Sequence, residues 1–223
     1  MIVGLFKALA QLNDPRLRRV LWASLGWAFV LHAALYAVLG FALQHLPTTD
    51  LAWLDTLLRV VSGLGAFLAS LWLFPAVVSV ILGFYLEQVV ATVENRHYPN
   101  LPRPRAQPVV ESVATALRFA AVAVGLNILF LPLYLIPVIN VGAFLLLNGY
   151  LLGREYFELV AARRLEPLAM HQTRLRHRGR FLLLGIAAAA LLLVPLVNLV
   201  APIVAAAWMV HLLESLRWRD ERL

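Results

Sequence analysis

Uncharged apolar stretches alternate with short charged ones along this chain, and four of the apolar stretches are long. The first, Val20 to Leu43, holds 24 residues, which at 1.5 Å per residue is enough to cross a hydrocarbon core of about 30 Å with some tilt. The second, Val60 to Leu86, holds 27 and keeps helical spacing through Glu87 to about Val93, with Pro75 as an expected kink. Between them, His45 to Arg59 carries Pro47, Thr48, Thr49, Asp50 and Asp55 and is predicted to be the turn between two antiparallel helices.

The third and fourth stretches differ in kind. Phe119 to Gly153 has 35 residues and Phe181 to Leu213 has 33, too long for one crossing and too short for two. Each is interrupted near its middle by Pro-x-x-Asn, at Pro137 to Asn140 and again 58 residues later at Pro195 to Asn198. Arms of roughly 14 to 18 uncharged residues give about 21 to 27 Å of helix, so re-entrant hairpins fit better than pairs of spanning helices. The expected fold is an all-α integral membrane domain over 1–223. It comprises an N-terminal interfacial helix (1–14), two long transmembrane helices (15–43 and 60–94), two partially penetrating helical hairpins (109–164 and 181–217) and a basic loop (165–180). Ile2, Leu5, Phe6 and Leu9 fall at helical spacing with Lys7 on another face, as an interfacial helix requires. A cleaved leader fits less well, because the following apolar run exceeds an h-region. Four prolines between Tyr98 and Pro108 make that segment a stiff extended linker.

Composition excludes a water-soluble reading: 62% of the residues are apolar and 14% charged, about half the charge of a soluble protein. The absence of cysteine removes thiolate chemistry and disulfides. Basic residues exceed acidic ones by 19 to 12, and all but Lys7 are Arg. They cluster before the first span, after the second, between the hairpins and at the end of the chain; Arg59 stands apart beside the acidic turn. The positive-inside tendency then puts both termini in the cytoplasm. In a membrane chain such an excess points to topology and anionic lipid headgroups rather than nucleic acid.

An interrupted helix inside lipid leaves backbone groups that need protein or water. Asn140 is a candidate N-cap for a helix from Val141, and Asn198, with Pro202 in the following turn, for the second restart. Each restart would aim the positive end of a helix dipole at the membrane interior, where an anion is stabilised; the bland alternative is that Pro and Asn merely turn an apolar hairpin. Before the first span, Asp14 is placed to cap a helix beginning at Pro15, and Arg16, Arg18 and Arg19 make a cluster of forked donors suited to a tetrahedral oxyanion. The competing reading is an anchor gripping lipid phosphates. Glu87, Arg154, Glu155, Glu158 and Arg217 are expected to form a charge network at the membrane edge. His32 is expected to hydrogen-bond within the bundle, and Trp22, Trp27, Trp53, Trp208 and Trp218 to form an interfacial belt. Arg174, Arg176, Arg178 and Arg180, with His171 and His177, read as a lipid-facing loop. No phosphate loop, His-Glu-x-x-His or serine-nucleophile motif marks an enzyme, and nothing calls for a cofactor or a metal.

The segment Asp14-Pro15-Arg16-Leu17-Arg18-Arg19, the two Pro-x-x-Asn breaks, Arg154-Glu155-Tyr156-Phe157-Glu158, and Pro195 through Pro202 together resemble the CysZ sulfate permeases and the wider etoposide-induced-protein membrane family. The resemblance covers nearly the whole chain. It implies two transmembrane helices with two partially penetrating hairpins, a homo-oligomer in the bacterial inner membrane, and sulfate uptake feeding cysteine synthesis, without a cofactor. Its anion-binding turn is Gly-hydrophobic-Arg-Arg, which falls on Arg16, Leu17, Arg18 and Arg19. Arg16 occupies the glycine position, where it either adds a donor or bars close approach to the backbone. The alternative function is a non-transporting membrane scaffold that binds another protein.

Overall fold

The computed structural model describes residues 2–44, 51–194 and 196–220. The expected turn residues Pro47 to Asp50, Pro195 and Arg222 lie outside them. Eight α-helices follow in order: α1 Ile2–Ala10, α2 Pro15–Gln44, α3 Ala52–His97, α4 Val109–Tyr134, α5 Pro137–Ala161, α6 Pro167–Arg176, α7 Arg178–Leu192 and α8 Ala201–Asp220, with short 3₁₀ turns at Gln11–Asn13 and Val197–Leu199. Among the described residues there is no strand. Among the described residues, three segments are long and apolar enough to cross a membrane: Pro15–Ala42, Val77–His97 and Val109–Tyr134.

Several boundaries differ from the sequence reading. α3 begins at Ala52 rather than Val60, so Asp55 and Arg59, expected in the turn, are helical. Asp55 falls in the first turn, where an acid favours the positive helix end. At 46 residues α3 extends roughly 69 Å, beyond any bilayer with its headgroups. α4 takes in Val109 to Arg118 and reaches 26 residues, so this arm alone is long enough to span; counting only uncharged residues cut it short at Arg118. α7, with 15 residues and about 22 Å, stays below a crossing. Pro167 to Arg176, expected as loop, is helix α6, begun by a proline at its first position.

The chain divides into two compact units, residues 18–85 and residues 1–17 with 86–223. In the smaller unit, Tyr36 donates to the Phe67 carbonyl (3.5 Å) and the His32 ring meets Phe74 edge-on at 5.1 Å, tying α2 to α3. His32 Nδ1 also bonds the Ala28 carbonyl of its own helix at 2.9 Å.

The larger unit is built around α8. Every residue from 201 to 214 is buried, because α1, α5 and α7 all pack against this helix. Its alanines at 205, 206 and 207 let those neighbours approach closely. α5 and α7 touch through glycines: a Cβ on Gly185 would collide with the Gly149 carbonyl oxygen, and one on Gly153 with that of Phe181. This close crossing is what small residues permit where apolar burial against lipid supplies no driving force. Trp208 is buried in α8 beneath α1, and so does not belong to an interfacial belt, whereas Trp22, Trp27, Trp53 and Trp218 are exposed. α4 has no buried residue at all.

Candidate anion-binding site

α2 starts because Asp14 caps it: its Oδ1 accepts the Arg16 N–H at 2.9 Å, and Pro15 supplies a first helical residue with no N–H to satisfy. Arg96 of α3 bonds the other carboxylate oxygen. Burial alone would raise the Asp14 pKa, but the Arg16 N–H and the Arg96 guanidinium outweigh it and hold the carboxyl below its ordinary value. Arg16, Arg18 and Arg19 are exposed, while Leu17 between them is 1% exposed and anchors the turn. A carboxylate already occupies the helix terminus, so the bare N–H groups anticipated there are fewer than expected. What the turn offers an anion is three exposed guanidinium groups, and Arg16 contributes one of them.

At the first hairpin apex the helix restarts at Pro137, not Val141, with Ile136 in the capping position. Asn140 therefore lies within the first turn, and its N–H is spent on the Ile136 carbonyl (2.9 Å), as is that of Ile139 (3.1 Å). Proline won the cap because its fixed φ and missing N–H suit the first helical position. In the second apex Asn198 sits inside the 3₁₀ turn and Pro202 is the second residue of α8. Asn198 Oδ1 is buried without a partner among the described residues, and Leu196 beside it has φ +66°, a conformation that a branched side chain adopts at a cost. Neither asparagine caps a helix.

The charge network divides. Arg154 Nε donates to Glu158 Oε1 at 2.8 Å and Arg174 joins the same oxygen at 3.0 Å. Glu87 and Glu155 line a cavity together with these three residues. Arg217 is elsewhere, bonded to Glu214 one turn back on α8 (3.2 Å). A tighter cluster was not anticipated: Glu94, 3% exposed, is held by Arg163 (3.2 Å) and Arg164 (2.7 Å), binding the end of α3 to the end of α5. Its one sequence signal is that Glu94 follows Glu87 by two helical turns. A second unanticipated group is polar and uncharged. Gln11 Nε2 donates to His211 Nε2 (2.8 Å) and His97 Nδ1 (3.3 Å), and the remaining His211 N–H meets the Tyr98 oxygen at 2.9 Å. Burial, with His97 and Lys7 nearby, pushes His211 down to about 4. Burial, with Glu214, pushes Tyr98 up to about 12.

Long apolar helices, glycine-mediated crossings and charges gathered at helix ends define an all-helical integral membrane protein, with an arginine-bearing turn at the start of its first span. Within that class, the chain belongs to the family described as sulfate transporter CysZ/etoposide-induced protein 2.4, whose sequence profile matches residues 4–202. No individual curated protein matches it.

Proposed function

We propose that this protein is an oxyanion permease, with sulfate as substrate, that mediates uptake across a bacterial inner membrane for sulfur assimilation. The observation that carries the reading is the start of α2, where Arg16, Arg18 and Arg19 are exposed and Leu17 is buried at the beginning of a membrane span, in a chain of a sulfate-transporter family. Guanidinium groups match the geometry of tetrahedral oxyanions and bind them with charge-assisted hydrogen bonds. Arg16, Arg18 and Arg19 gather the anion, with Leu17 holding the turn, and the helix starts near Pro137 and Pro202 favour it as it passes the hairpin apices. In this reading α4–α5 and α7–α8 are hairpins that enter and leave on the cytoplasmic face, both termini are cytoplasmic, and copies assemble as a homo-oligomer among anionic lipids. No nucleotide or coupling-ion site is invoked, so transport runs down the anion gradient.

Flux of radiolabelled sulfate into liposomes containing the purified protein tests this. Uptake well above that of protein-free liposomes is expected. Uptake equal to theirs removes transport and leaves the scaffold function.

A further inference from the structure

A cavity of about 650 Å³ opens in the larger unit where the first turns of α4, the last turns of α5 and helix α6 come together, with Glu87 of α3 at its edge. Its charges are not matched to each other. Two of its three guanidinium groups, those of Arg154 and Arg174, share one carboxylate, Glu158, and the third, Arg118, pairs with none among the described residues. On the acidic side, Glu87 and Glu155 line the same cavity, and neither has an ion-pair partner among the described residues. Desolvation and the neighbouring Glu158 push the Glu155 carboxyl up, as expected of an acid that lacks a cation.

Unpaired groups of both signs in one cavity are satisfied by a ligand that carries both. A free oxyanion would serve the arginines and worsen the position of the two carboxylates. A zwitterion serves each. The cavity's phenyl rings are already engaged: Arg154 lies over Phe119 at 5.6 Å, and Phe157 is 1% exposed and packed on Phe181 at 4.5 Å between centroids. No aromatic cage remains for a quaternary ammonium, whereas a primary ammonium donates three hydrogen bonds to carboxylates. Along α4, in line with the cavity-lining Arg118, follow Val122, Leu126 and Leu129, the first two half-buried and the last 67% exposed. Their spacing keeps them on one helix face. The ligand's remainder is therefore hydrocarbon.

We propose that this cavity binds the headgroup of an aminophospholipid of the phosphatidylethanolamine type, its phosphate on Arg118, Arg154 and Arg174, its ammonium on Glu87 and Glu155, and its acyl chains along α4. The site is separate from the α2 turn and does not depend on transport.

The test is native mass spectrometry of the full-length protein in detergent, titrated with dioleoyl phosphatidylethanolamine, phosphatidylcholine and phosphatidylglycerol, and with water-soluble glycerophosphoethanolamine. About tenfold tighter binding of phosphatidylethanolamine than of the other two lipids is expected. Glu87→Gln and Glu155→Gln should each erase that preference without weakening phosphatidylglycerol, and Arg118→Gln should weaken all three lipids. Should one carboxylate variant fail to fold, the other carries the same expectation. Equal binding of the three lipids, a preference that survives both carboxylate variants, or binding of the soluble headgroup as tight as that of the lipid each overturns the proposal.

Discussion

At the scale of single residues, the larger unit depends on polar groups that cannot be left alone. Glu94 is the shared counter-ion of Arg163 and Arg164 in a place where the three side chains are 15% exposed or less. Glu94→Gln keeps the shape and removes the charge, stranding two guanidinium groups, and should cost about 3 kcal/mol. A large drop in thermal midpoint in detergent checks this. His211 makes stability depend on pH. In the unfolded chain its ring takes a proton below about 6.5, whereas the folded ring, facing the Gln11 amide, His97, Tyr98 and Lys7, resists until about 4. The folded state therefore loses stability as pH falls through that window, by at most about 1.4 kcal/mol per unit. The midpoint should fall between pH 7 and pH 5, and His211→Gln should flatten the change. Arg154 with Glu158 was legible because four residues separate them on one helix. Glu94 with Arg163 and Arg164, and Gln11 with His211, were not, because their partners are distant in sequence and only packing brings them together.

Elements show where local rules decide and where they mislead. The capping of α2 by Asp14 before Pro15 is readable from adjacent residues. The asparagine caps failed for an equally local reason: proline three residues earlier already suits the helix start, so Asn140 is enclosed in the first turn. Starting α3 after its first charges made it too short, and counting only uncharged residues understated the length of α4, since Asp55, Arg59, Glu111 and Arg118 are helical. The α5–α7 crossing invites a direct test. Gly185→Ala puts a methyl into the Gly149 backbone and should cost about 3 kcal/mol. Gly125→Ala in α4 meets nothing within 4 Å and should instead stabilise by about 1 kcal/mol, as alanine does in a helix interior. Paired unfolding measurements on the two variants check both signs.

Across the whole molecule, apolar periodicity announced a helical membrane protein but could not tell lipid-facing runs from encased ones. The uncharged run into α8 reads in the sequence like a membrane segment, yet α8 falls short of a span in apolarity and residues 201 to 214 are buried by α1, α5 and α7. α4 is its opposite, apolar and with no fully buried residue. The arginines of the α2 turn are exposed, and that placement underlies the proposed activity. Its most direct test is the initial rate of radiolabelled sulfate uptake at subsaturating concentration by proteoliposomes carrying either the native protein or Arg18→Ala with Arg19→Ala. Charge-assisted hydrogen bonds contribute about 1.5 to 3 kcal/mol each, so the double variant should transport about tenfold more slowly or worse. An undiminished rate in the double variant would contradict entry at this turn.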